Sequence, residues 1–539
     1  MSEVQNRKEL ILKFLKERNK LVFLVLILLL GLILRFNYSI LKAPVAEWWD
    51  SADYMSTAKA MVFPEFREHV TQFGINARRP FFLALLWAPI LFFNGSDTAL
   101  HYPILILSLL TVYFTYLLGK KLYNENTGLL AALLLAVSWV HLFFSARLLT
   151  DVPSLAFWMM SGYFFWRGYI EEEGNKYLWY AAAFFGLSIF TRAASVMNIL
   201  PILVLLVLKE RHKFILNKKI WISLIIFFLV LSPFIIWLFA TFDNPIQKFT
   251  GIGGGETRFR AAQGGFKFSD LADLWKNLNF VATSLLGPSI MSNLGTLMSP
   301  NFIGFILMLV TIILCSDAIL GIDVLWKERN KELMKKIYLL VWILTPYLFY
   351  SIINPGVEDR YLFAMFPIMF IIFSDGLLKI AEKLKKYWKY LGIIFLVLIY
   401  GIFVYYNIND ASATHESKRL SYAEIAQSGK WIKEHSDLKD RIISASKYQA
   451  MYYSERDTFP FCDNQECKEN ETIFIEKRLK EIDPKFVVVS VYEPGFTPQW
   501  AYTVAQRYPS VLEPVQAFSP PGQQSPYLIV YEYKQHQSD

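Results

Sequence analysis

The run LVFLVLILLLGLILRFNYSILKAPVAEWWDSADYMSTAKAM, residues 21–61, decides the fold. Leu21 to Leu34 carry no charge and follow a basic stretch of Arg7, Lys8, Lys13, Lys16, Arg18 and Lys20. Continued to residue 41 with Arg35 as its one charge, the run reaches the roughly 20 residues that a helix needs to cross a bilayer. No small-residue cleavage site follows it, so it reads as a retained anchor and not as a removed signal peptide. The second part sets Asp50, Asp53, Tyr54, Ala58 and Met61 at helical spacing, with Asp50 and Tyr54 pointing the same way and Asp53 beside them. Trp48 and Trp49 suit the water–lipid boundary, where an amphipathic indole is stable. A membrane span thus delivers a carboxylate-bearing helix to the bilayer surface.

The rest of the chain follows the same pattern. Of 539 residues 54% are hydrophobic and only 19% charged, against about 25% charged in soluble domains, and the charges are bunched between apolar runs. These runs predict about eleven transmembrane helices, near 21–41, 98–118, 127–145, 153–169, 177–191, 193–208, 220–240, 302–322, 338–354, 361–378 and 391–407. Counted so, every loop rich in Lys and Arg falls on one side: the amino terminus, Lys120 with Lys121, 209–219, 327–336 and 379–389. Cytoplasmic loops carry that bias. The run 80–93 is too short to cross comfortably and reads as an interfacial or re-entrant helix. Residues 177–208 read as a hairpin broken near Thr191 and Arg192, because one long helix would invert the later basic loops. The net charge of +8 reflects these loops, and no basic-aromatic motif points to nucleic acid.

Three segments then face outward: 42–97, 241–300 and everything after about 408. Residues 1–407 are expected to form the transmembrane domain and 408–539 an external soluble α/β domain, with an amphipathic helix at 421–436, strands at RIISAS, KFVVVSVYE and PYLIVYEY, and a helix at FIEKRLKEIDP. It has no GxGxxG, P-loop or GxSxG element. Cys462 and Cys467 lie where a disulfide forms readily, two free thiols being the alternative. The tripeptides Asn94-Gly95-Ser96 and Asn470-Glu471-Thr472 are glycosylation sequons on the same side.

Charged residues also gather at the outer ends. A boundary carboxylate such as Asp50 suits a general base that takes the proton of an attacking hydroxyl; the alternative is that it caps its helix while the tryptophans anchor it. Asp151, in ARLLTDVPSLAF, is a second carboxylate, and its alternative is a helix start with proline in the first turn. Arg78, Arg79, Arg147, Arg192 and Arg360 lie at outer loop ends, where arginines bind phosphate with a forked set of donors or lipid head groups in general. Acids and arginines together suit displacement at an anomeric carbon whose leaving group is a phosphate.

The order WWDSADYMSTAKAM, RRP with a short helix, LGKKLY, LLTDVPS and EDRYLFAMFP resembles the protein O-mannosyltransferase and aminoarabinose transferase branch of the GT-C glycosyltransferases, from about residue 20 to 405. The resemblance implies an inverting enzyme that moves one sugar from a polyprenyl or dolichyl phosphate to an external hydroxyl acceptor on a glycan, protein or lipid. By position, Asp50 matches the presumed base and Asp151 the acid of the second external loop. Arg79 matches a basic residue before proline that contacts the lipid phosphate, with Arg78 beside it, and Arg360 with Tyr361 a later basic-aromatic element at the same phosphate. The family's first motif commonly reads Asp-Glu. Here Ser51 follows Asp50, leaving Asp53 as the partial substitute, and Asp53 and Tyr54 are expected to bind substrate. No cofactor is implied; a divalent metal is compatible and not required. The family's basic-Pro-Pro element is Arg79-Pro80-Phe81 here. Oligosaccharyltransferases carry WWDYG in the soluble domain, whereas the WWD here is Trp48-Trp49-Asp50, which argues against en bloc transfer.

A multi-span transporter or flippase, or a non-catalytic lipid-binding scaffold of the same fold, are the rival readings. The topology puts the chain in the plasma membrane with its amino terminus cytoplasmic and its carboxyl-terminal domain outside. Protease added to sealed cells is therefore expected to remove a tag placed after residue 539 and to spare one inserted between Lys218 and Lys219; the reverse pattern contradicts the topology.

Overall fold

The computed structural model describes residues 2–71, 79–243, 245, 267–353 and 358–535, apart from the side chains of 2–17, 269 and 325. The chain folds as two compact units: a membrane unit of residues 1–41, 102–146 and 150–415, and a second unit of 42–101, 147–149 and 416–539. The first external segment thus groups with the carboxyl-terminal region.

Among the described residues seven helices are long and apolar enough to cross a membrane, and two bent pairs, Glu125–Val137 with Trp139–Ser145 and Pro288–Gly295 with Pro300–Leu314, raise the number to nine. The helices Asp151–Phe165 and Asn175–Thr191, of 15 and 17 residues, fall short of that length and account for the other two expected segments. Both are lined by small polar groups that bind each other: Ser154 and Ser188 share hydroxyl hydrogen bonds, and Ser161 donates to the Ala181 carbonyl. The break expected near Thr191 is present. The helix ends there, Arg192 is extended (φ −147°, ψ 110°), and the chain resumes as a 3-10 turn before Ile199–Glu210. The run 80–93 forms the short apolar helix Phe82–Asn94.

The basic loops of the membrane unit meet at one end. Lys20 and Lys120 both pair with Glu125 at 2.9 Å, Lys121 with Glu171 at 2.5 Å, and Lys209 with Glu172 at 2.6 Å. Lys335 and Lys379 lie over the Tyr123 ring.

Helix breaks inside the packed protein expose backbone groups that no water can satisfy, so side chains must do so. At the 58° bend between Val137 and Trp139 the Arg35 guanidinium donates to the Ala136 carbonyl at 2.9 Å and bonds Ser108 and His141 Nδ1. Asn407, on the helix Leu391–Arg419, accepts from the Trp139 N–H at 3.0 Å and donates to the Leu286 carbonyl at 3.2 Å. One turn on, the Asp410 carboxylate accepts the Ser289 N–H at the start of Pro288–Gly295. Gly287 makes room for it: its φ is +98°, and a Cβ there would lie 2.4 Å from Asp410 Oδ2.

In the second unit five strands form one mixed sheet in the order β2-β1-β3-β5-β4, with β1 Arg441–Ser444, β2 Asp457–Phe459, β3 Pro484–Ser490, β4 Leu512–Phe518 and β5 Leu528–Tyr533. β1 runs parallel to β2 and β3, and β5 antiparallel to β3 and β4. The period-two alternation buries both faces. Ile442, Phe486, Val488, Leu528 and Val530 pack on Ile425 and Ile432 of the helix Ala423–Glu434, while Ile443, Val487, Val489 and Tyr531 pack on Phe461, Phe474 and Leu479. The three strands expected from sequence are β1, β3 and β5. The two edge strands are additional: β2 has three residues, and β4 carries Pro514, which an edge tolerates and a sequence pattern reads as loop. Cys462 and Cys467 are disulfide-bonded.

Asn407→Leu leaves a buried amide and a buried carbonyl unpaired, at a cost of about 1–3 kcal/mol each. It is expected to lower the midpoint of thermal unfolding in nanodiscs by several degrees, while Ile402→Leu on the exposed face of the same helix leaves it unchanged.

Candidate active site

The helix Trp49–Val62 begins after Trp48, and no side chain caps it. Asp50 sits in the first turn, where a negative charge meets the positive end of the helix dipole. Instead of capping, its carboxylate pairs with Arg79 Nη2 at 2.8 Å. Arg79 Nε is 3.7 Å from Asp53 Oδ2, and the guanidinium lies 5.5 Å from the Tyr54 ring centre. Four of the residues singled out from sequence are therefore one cluster. Arg78 lies outside the described residues. Burial works against the Arg79 charge, but Asp50, Tyr54 and Asp53 outweigh it and hold the guanidinium well above its usual range. Its Nη1 is buried and has no hydrogen-bond partner among the described residues.

The carboxyl-terminal region frames this cluster. Trp49 meets Tyr448 edge-on at 5.0 Å between ring centres and stacks on Phe496 at 5.3 Å. Lys447, at the start of the helix Lys447–Ser454, is drawn toward Asp457 and Asp53, although burial lowers its pKa. Farther along the same helices Lys59 pairs with Glu455 at 2.7 Å, and Ala60 and Phe66 pack on Met451. Asp457 accepts from both the N–H and the hydroxyl of Thr71.

Behind Asp50 lies a buried ionic cluster that sequence reading missed. Glu47 sits 3.6 Å from His101 Nε2, and its N–H donates to the Tyr453 hydroxyl at 2.8 Å. Burial pushes the Glu47 carboxyl up, against the attraction of Arg147 and hydrogen bonds from Ser51 and Leu148 and with the help of Asp97, to about 7. Arg147 is fully buried, stacks on Trp48 and donates to the Lys418 carbonyl.

A second cluster lies in the membrane unit. Asp151 opens the helix Asp151–Phe165 and is ion-paired with Arg192, while Arg360 Nη1 approaches its other oxygen at 3.7 Å. Tyr361 stacks on Tyr350 at 5.0 Å and receives both guanidinium groups on its ring, at 5.2 Å from Arg192 and 5.5 Å from Arg360. Glu358 binds Arg360 at 2.8 Å but is half exposed. One buried carboxylate thus holds two forked donors side by side, an arrangement that suits a phosphate. Asp151 organises the arginines. The sequence placed Arg192 among five basic candidates, and the helix break beside it was the signal that it serves here. Among the described residues no group of three or more His, Cys, Asp or Glu gathers in a way that could hold a metal ion.

Residues 77–237 match the model of the family described as dolichyl-phosphate-mannose-protein mannosyltransferase. No curated protein sequence gives a significant match. Among solved structures, ArnT from Cupriavidus metallidurans bound to undecaprenyl phosphate aligns over 94% of this chain and 97% of its own at 11% identity, with a TM-score of 0.61. The oligosaccharyltransferase of Archaeoglobus fulgidus in its apo form aligns over 87% of this chain and 69% of its own at 14% identity, TM-score 0.56. The same organism's AglB, in complex with an inhibitory peptide and a dolichol-phosphate, aligns over 96% and 75% at 15% identity, TM-score 0.56. At these identities the likeness is one of fold: a multi-pass membrane protein of GT-C architecture with a sheet-containing carboxyl-terminal region.

The buried Glu47 carries a sign for pH. Its folded pKa is raised, so the stability tied to its protonated form is present below about 4.5, is lost as pH rises toward about 7, and amounts to about 3 kcal/mol at about 1.4 kcal/mol per unit. Between pH 5 and 8 the unfolding midpoint of the wild type is expected to fall relative to that of Glu47→Gln; parallel curves would sink this account.

Proposed function

We propose that this chain of GT-C fold is a glycosyltransferase that moves a single sugar from a polyprenyl- or dolichyl-phosphate donor to an external hydroxyl acceptor with inversion. Asp50 is the base: it takes the acceptor proton while the acceptor oxygen bonds to the anomeric carbon. The bond from that carbon to the phosphate oxygen breaks, and the lipid phosphate leaves with the electron pair. Arg79, with Asp53 and Tyr54, is the phosphate and substrate binder of the second unit, and Arg360 and Arg192, held by Asp151 beside Tyr361, are those of the membrane unit. The observation that carries this reading is the Asp50–Arg79 pair, a carboxylate 2.8 Å from a guanidinium.

The same reading sets the chain in the plasma membrane, with the shared end of Lys20, Lys120, Lys121 and Lys209 toward the cytoplasm and residues 408–539 outside as a soluble α/β domain. The Cys462–Cys467 disulfide supports an oxidising exterior for that region.

Membranes carrying equal amounts of wild type or Asp50→Asn, supplied with radiolabelled dolichyl-phosphate mannose or glucose, test the assignment. Transfer is expected to fall by about 10²–10⁴-fold in the variant, the usual worth of a general base. Transfer that survives removes Asp50 from that role. For Arg360→Ala the concentration of donor giving half-maximal transfer is expected to rise at least about tenfold, the loss of a charge-assisted contact.

A further inference from the structure

Tyr448 and Phe496, which pack on Trp49, come from the carboxyl-terminal region, to which the proposed reaction assigns no role. The turn after β3 bends at Glu493, whose φ of +54° is uncommon for a residue with a side chain. Its carbonyl receives the N–H groups of Phe496 and Thr497, which folds the turn tightly and brings Phe496 onto Trp49. Phe496 remains 56% exposed although one face is covered by the indole, and Tyr448 closes the edge of the same indole. The Glu493 carboxylate accepts from the Tyr422 hydroxyl at 3.4 Å. Burial pushes its pKa up, Tyr422 opposes this, and the charge of Asp50 adds to the rise.

An exposed aromatic ring beside carboxylates is a surface for a carbohydrate. The C–H face of a sugar ring packs on the aromatic face, and its hydroxyls donate to the carboxylates. A bare peptide hydroxyl would use the base and leave the ring unused. We propose, resting on the glycosyltransferase reading, that the acceptor is itself a glycan, whose terminal sugar stacks on Phe496, backed by Trp49, and donates a hydroxyl to Glu493. The carboxyl-terminal region is then the acceptor-selecting part of the molecule, and Phe496 and Glu493 are its specificity residues.

The test uses membranes carrying the full chain as wild type, Phe496→Ala, Phe496→Trp or Glu493→Gln, with radiolabelled dolichyl-phosphate mannose and glucose as donors. The labelled product is sized after β-elimination and after lipid extraction, and binding of labelled dolichyl phosphate to each purified protein is measured in parallel. Label at the end of a glycan longer than one sugar is expected. Transfer should fall about tenfold in Phe496→Ala and in Glu493→Gln and recover in Phe496→Trp, with dolichyl phosphate binding unchanged. Label released as a single-sugar alditol, which marks a protein hydroxyl, or carried by a lipid without a glycan, overturns the proposal. Unchanged transfer in Phe496→Ala, or an equal loss of dolichyl phosphate binding, also overturns it. No transfer by the wild type overturns the glycosyltransferase reading itself, and this inference with it.

Discussion

Inside a packed protein a backbone N–H or C=O has no water to bind, so a helix that breaks there must find partners within the protein. The membrane unit breaks its helices near Ser138, Arg192 and Gly287 and supplies a polar side chain at each. Arg35 and Asn407 serve the first, and Asn407 and Asp410 serve the last. At the second break the residue that ends the helix is itself Arg192, held by Asp151. The interruption that costs the helix its continuity is also what brings an arginine, a buried carboxylate and two tyrosines together. The polar cluster follows from the constraint on the backbone.

The second unit solves a different problem. The helix Trp49–Val62 is buried along most of its length, and its carboxylates must be held in one place. Lys59–Glu455, the Thr71–Asp457 bonds and the packing of Met451 tie that helix to the sheet region. Glu47 and Arg147 are buried behind it, and the carboxyl is held near neutrality by its surroundings. A region without any recognised catalytic motif thereby becomes the support of the proposed base.

How much of this was legible depended on separation along the chain. Asp50 and Tyr54 share a helix face by spacing alone, and Arg79 is close enough in sequence for its motif to be read, so that cluster was visible. The span pattern and the break at Thr191 were visible because loop charge constrains the topology as a whole. Lys447, Glu493 and Phe496 lie hundreds of residues from Asp50, on a turn and a short helix that carry no periodic signal. Glu47 was overlooked because a glutamate before two tryptophans reads as a solvated interface residue, and only burial reveals otherwise. The strand β4 was hidden by its proline and its half-exposed edge position.

The proposed reaction breaks one bond, between the sugar and the lipid phosphate. The most direct measurement follows that bond in proteoliposomes holding the purified chain, with a polyprenyl-phosphate sugar labelled separately in its sugar and its lipid. One polyprenyl phosphate released for each sugar transferred is the result expected of the transferase. Donor that appears intact in the opposite leaflet, with no phosphate released, would contradict it and identify a lipid carrier.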